Sequence, residues 1–120
     1  MSHLYYVADP MCSWCWGFRP VLAQVCEALP SNVPLTYVMG GLAKDSDEPM
    51  PEDTRRYVQM NWSQVSEETG ATFNWDFWTH CQPRRSTYPA CRAVLAAAAQ
   101  REDSVPEMFD AIQRAYYQEA

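Results

Sequence analysis

Three segments within the first forty residues restrict the fold more than anything else in the chain. Leu4-Tyr5-Tyr6-Val7-Ala8 is a short β-branched and aromatic run that stops at Asp9-Pro10, where a proline ends a strand and opens a loop. Residues 13–29 carry Phe18, Val21, Leu22, Val25, Cys26 and Leu29 at helical spacing, interrupted only by Pro20. After the turn chemistry of Pro30-Ser31-Asn32, residues 33–39 form a second strand candidate ending at Gly40-Gly41. Strand, helix, strand in that order is a βαβ unit, which implies parallel strands joined by a right-handed crossover.

The junction of that loop with the first helix holds two thiols three positions apart, Cys12 and Cys15. Cys12 falls at or just before the first helical turn, where unpaired backbone N–H groups and the macrodipole favour an anion, so a thiolate there is stabilised. In pairs of this spacing the thiol pKa can fall from about 8.5 to roughly 3.5–7.5. Residues three apart on a helix are neighbours, so Cys15 can attack a mixed disulfide formed at Cys12 and release the partner. The spacing therefore predicts a redox dithiol with Cys12 as attacking thiolate and Cys15 as resolving thiol.

Beyond the second strand, Lys44-Asp45-Ser46-Asp47-Glu48-Pro49-Met50-Pro51 is polar, proline-rich and without apolar period. It marks a boundary between residues 1–42, the βαβ portion, and residues 43–120, where the pattern turns helical. Residues 52–69 place Val58, Trp62, Val65 and Thr69 on one stripe, with Gly70 as the terminating glycine. The aromatic cluster Phe73-Asn74-Trp75-Asp76-Phe77-Trp78 reads as a turn that plugs the helical layer. Residues 89–101 are strong helix formers opened by Pro89. Ser104-Val105-Pro106-Glu107 reads as a capping box for a last helix with Met108, Ile112, Ala115 and Tyr116 facing inward.

Composition narrows the function. No stretch is long enough to span a membrane, and a net charge of −6 argues against nucleic acid, whose phosphates require clustered Lys and Arg. The start of the chain carries no secretory pattern, so a cytoplasmic protein is expected. Five cysteines, an odd number, suit reduced thiols with one functional pair better than a stapled secreted domain. Zinc needs two further ligands near the pair, and Cys81, Cys91 and His80 offer no second close-spaced couple, so no metal is expected. No dissociable cofactor is implied.

The segment Asp9-Pro10-Met11-Cys12-Ser13-Trp14-Cys15-Trp16-Gly17-Phe18 resembles the active-site segment of DsbA-like thioredoxin-fold proteins, closest to the FrnE-like branch. Ser86-Thr87-Tyr88-Pro89-Ala90-Cys91-Arg92-Ala93-Val94 is similar to the same family's helical-domain segment. The resemblance implies an α/β protein with a thioredoxin-like βαβ core, its N-terminal half in residues 1–42, and a helical insertion in residues 43–120. In the family a strand pair, a cis-proline packed against the dithiol and a final helix follow the insertion. None of the nine prolines here has that context, so the C-terminal part of the core is expected to be missing from this chain. The resemblance implies a thiol-disulfide oxidoreductase acting on disulfide- or thiol-containing proteins or small molecules. Ser13-Trp14 differs from the Pro-His of strongly oxidising periplasmic members, so their potential is not carried over. The direction of the reaction and the oligomeric state are not legible.

Several residues admit a plainer reading. Trp14 is expected at the rim as a substrate contact. Phe18 is expected in the core, and Trp16 in either place. Asp9 is a loop residue or, if desolvated, a base for the Cys15 proton. Cys26, three turns after Cys15, is expected as a small buried hydrophobe and Cys91 as a packed helix residue, while Cys81 is a candidate second reactive thiol. His3 and His80 are expected in solvent, as are Arg19, Arg84 and Arg85. Two other functions compete: a glutathione-linked kappa-like transferase or isomerase, against which the second cysteine counts, and a non-enzymatic thioredoxin-fold binding module.

Overall fold

A computed structural model describes residues 2–120; Met1, the first residue of the expected 1–42 segment, lies outside the described residues. Strands β1 (Leu4–Ala8) and β2 (Leu35–Met39) pair in parallel, with Leu4 opposite Leu35 and Ala8 opposite Met39. Strand β2 begins two residues later than expected, because Pro34 has no N–H for a ladder. Alternation along β1 exposes Tyr5 and Val7 and turns Tyr6 and Ala8 toward the helices.

The first helical stripe is two helices, α1 (Ser13–Gly17) and α2 (Arg19–Ala28), meeting at Phe18. Pro20 enters α2 in its first turn, where its missing donor costs little. Because the stripe restarts at Phe18, residues counted across the break do not share a face. Cys26 is exposed rather than buried, and α2 contributes no fully buried residue. Phe18, expected in the core, is likewise 38% exposed.

Helix α3 (Glu52–Thr69) ends at Gly70, whose φ of 77° is the left-handed cap that glycine adopts without strain. Helix α1 docks on α3 at Gly17, where an added Cβ would come within 2.7 Å of Val65 Cγ1 and 2.8 Å of Thr69 Oγ1. Short α4 (Phe77–His80) follows, then α5 (Tyr88–Gln100) and α6 (Val105–Tyr117). The Ser104 capping box does not form: its hydroxyl donates to the carbonyls of Ala97 and Arg101, tying α6 to the end of α5. The buried stripe of α6 is Val105, Phe109, Gln113 and Tyr117, one position away from that expected. Met108, Ile112 and Tyr116 still pack partly, since α6 lies between two clusters and uses more than one face.

One cluster joins Ala8 to Val94, Val105 and Phe109, with Tyr37 edge-on to Phe109 at 5.2 Å. The other is aromatic and centred on fully buried Trp62, whose ring lies 4.8 Å from Phe73, 5.2 Å from Trp78 and 5.3 Å from Tyr117. The Phe73–Trp78 run thus wraps the α3 tryptophan, and Trp16 joins this cluster by stacking on Tyr117. Among the described residues no helix is long and apolar enough to cross a membrane.

Candidate active site

The loop from β1 to α1 is built on Asp9, which is only 2% exposed. Its Oδ1 accepts the Met11 N–H at 2.8 Å and its Oδ2 the Leu42 N–H at 3.0 Å, joining the loops that follow β1 and β2. The Cys91 thiol of α5 donates to the same Oδ2 at 3.5 Å, and the Cys12 N–H donates to the Asp9 carbonyl at 3.0 Å. Both carboxylate oxygens are thus engaged in fixing backbone, the work of a loop residue.

This turn delivers Cys12 to the N-cap of α1, with φ −90° and ψ 120°, and its carbonyl accepts the Trp16 N–H. Both Cys12 and Cys15 are reduced and half-buried. The Cys15 thiol donates to the Cys12 sulfur, and the N–H groups of Cys15 and Trp14 also point to it. Together they outweigh burial and the negative charge of Asp9, bringing the Cys12 pKa down to about 6. Cys15 moves the other way, because the proton it lends to Cys12 and its burial both resist ionisation. A five-residue helix has little macrodipole, so the local donors stabilise the thiolate in its place. Cys12 opens on a cavity of about 210 Å³, walled by Trp14, Leu42, Tyr57 and Tyr117. Cys15 lies on the inner side, against the sheet cluster.

No protein-family model and no curated protein matches the chain. Among solved structures it is similar to a candidate protein disulfide isomerase from Nitrosomonas europaea, with a TM-score of 0.85 and 31% identity over 98% of this chain. It is similar also to the cytosolic disulfide reductase DsbM from Pseudomonas aeruginosa, with a TM-score of 0.77, 30% identity and the same 98% coverage. The structure of that reductase with GSH gives 0.76 and 29%, again over 98% of this chain. This chain has the DsbA-like thioredoxin fold. It spans 55% of the length of the first two of these structures and 56% of the third.

Within that fold, Trp14 is 41% exposed beside Cys12, and Trp16 is buried, its indole N–H donating to the Thr72 carbonyl. Cys91 is buried, as expected of a packed helix residue, but against a carboxylate as well as between helices. Cys81 caps α4 and packs partly against the aromatic cluster. Arg19, expected in solvent, pairs with Asp110 of α6 and lies 4.6 Å over the Trp16 ring. Arg84 reaches Asp47, and His3 stacks on Tyr5. Among the described residues no three metal-ligating side chains converge, and no peptide bond is cis.

Two tyrosines escape a reading of the sequence. The Tyr6 hydroxyl hydrogen-bonds Cys15, which favours the Cys15 thiolate, while burial and the Cys15 charge hold the phenol's own pKa up. Tyr117 is fully buried, and its pKa is raised by burial first and then by Tyr116, Cys12 and Cys15. The only sequence signal for Tyr6 is its inward phase on β1, two residues before Ala8.

Proposed function

We propose that the chain is a thiol-disulfide oxidoreductase working through Cys12 and Cys15. The observation that carries this reading is the division of labour in the dithiol: an outward Cys12 that ionises easily and an inward Cys15 that keeps its proton. In the reducing direction the Cys12 thiolate attacks R–S–S–R, forming Cys12–S–S–R and releasing R–S⁻. Cys15 passes its proton to a leaving thiolate and attacks the Cys12 sulfur, closing the protein disulfide and releasing the second R–S⁻. Two electrons pass from the dithiol to the substrate, and an external thiol or dithiol restores them; the oxidising direction is the reverse.

Disulfide- or thiol-containing proteins and small molecules are the proposed partners, with Trp14 at the rim as their contact. The DsbM structure with GSH supports glutathione as one such thiol, and the cytosolic setting of that reductase supports a cytoplasmic one here. On this reading residues 1–42 carry the chemistry in an FrnE-like arrangement, and residues 43–120 complete the cavity wall with Tyr57, Arg85 and Tyr117. Alkylation of the native protein before and after mild reduction, with mass mapping, tests it. After exposure to oxidant, Cys12 and Cys15 should gain label only upon reduction. Equal labelling of both in the two conditions would overturn the reading.

A further inference from the structure

We propose that Arg85 and Tyr117 form a carboxylate-binding subsite beside Cys12, and that the disulfide exchanged there is a small molecule with a carboxylate near its sulfur. The proposal rests on the exchange chemistry above and names its substrate class.

Of eight arginines in the sequence, seven form ion pairs: Arg19, Arg55, Arg56, Arg84, Arg92, Arg101 and Arg114. Among the described residues Arg85 is the one that forms none, in a chain whose net charge is −6. It is half-buried and lines the same cavity as Cys12. A guanidinium is a planar fork of donors matched to a carboxylate. With so many acids available, one left unpaired at the cavity wall is placed for an anion from outside.

The second observation is independent. Tyr117 is 0% exposed and lines the same cavity, and its hydroxyl is buried without any hydrogen-bond partner. Buried polar groups are nearly always paired, so an orphaned hydroxyl on a residue that lines the Cys12 cavity lacks an acceptor. Tyr117 shares that cavity wall with Cys12, the attacking thiol. A carboxylate between the Arg85 fork and the Tyr117 hydroxyl satisfies both groups. At about 210 Å³ the cavity holds roughly seven water-sized groups, room for one amino-acid-sized arm.

Stopped-flow exchange of the reduced full chain with three probes, with mass spectrometry of the adduct, tests this: dithiodiglycolate (anionic), hydroxyethyl disulfide (neutral) and cystamine (cationic). A thiolate in a net-negative protein ordinarily disfavours an anion, so the native protein should be anomalous and react faster with the anionic than with the neutral probe. Arg85→Ala should lower the ratio of anionic to neutral rate constants about tenfold and Tyr117→Phe about threefold, the scale of one charge-assisted and one neutral hydrogen bond. Arg85→Lys should restore part of the ratio, as a charge without the fork. An unchanged ratio in Arg85→Ala, or a native preference for cystamine, overturns the subsite. Failure of Cys12 to exchange with any of the three overturns the oxidoreductase reading itself, a distinguishable result.

Discussion

The two thiols of the dithiol differ by who donates to whom. Cys12 receives a hydrogen bond from Cys15 and two backbone N–H groups, while Cys15 gives a proton to Cys12 and is countered only by Tyr6 and the Asp9 backbone. The largest single cause of the lowered Cys12 pKa is the Cys15 donor, so Cys15→Ala should raise it by about one unit or more, each unit corresponding to about 1.4 kcal/mol. The pH dependence of iodoacetamide alkylation measures this. In the native protein the Cys12 rate should rise through about pH 6 and level off above, and in Cys15→Ala the rise should move toward the range of an ordinary thiol. The sign follows from the direction of the shift: a lowered pKa means thiolate persists to lower pH and is lost as pH falls through that value. The sequence makes Cys12 and Cys15 legible through spacing alone. Tyr6, Arg85 and Tyr117 are not legible, because they stand six, seventy-three and one hundred and five positions from Cys12, and only folding brings them near.

Among elements, α1 is the piece whose placement the site depends on. It is only five residues long, and it is held by the Asp9 turn at one end and by Gly17 against α3 at the other. Gly17→Ala puts a methyl into Val65 and Thr69 Oγ1, so it should destabilise the fold by about 1–3 kcal/mol, the usual cost of overpacking. Urea unfolding followed by tryptophan fluorescence checks this, and an unchanged midpoint would mean that α1 and α3 do not pack so closely. Elements are legible where a period runs unbroken, as in α3 from Glu52 to its Gly70 cap. They are less so where a proline resets the phase: three turns counted from Cys15 to Cys26 cross the break at Phe18, so the helical period places Cys26 inside while the structure exposes it. In α6, the polar Gln113 on the buried stripe hid the true face, and apolar Met108 and Ile112 suggested its neighbour.

At the scale of the whole chain, the two clusters meet the site from opposite sides. The sheet cluster takes in Cys15, and the aromatic cluster around Trp62 reaches the cavity through Tyr117. Element order gives the βαβ unit and the run of helices, but not that the end of α6 returns beneath the first helix. Exposure alone does not mark the reactive thiol: Cys26 is exposed, whereas Cys12 is half-buried and has its pKa lowered to about 6 by the donors around it. That contrast makes one measurement decisive: the time course of the reduced protein with a small disulfide, quenched in acid and mapped by mass. The account predicts a first adduct on Cys12, then its loss as Cys12 and Cys15 join, with Cys15→Ala stalled at the adduct. A first adduct on Cys26, or a Cys12 adduct that Cys15 never displaces, would contradict it.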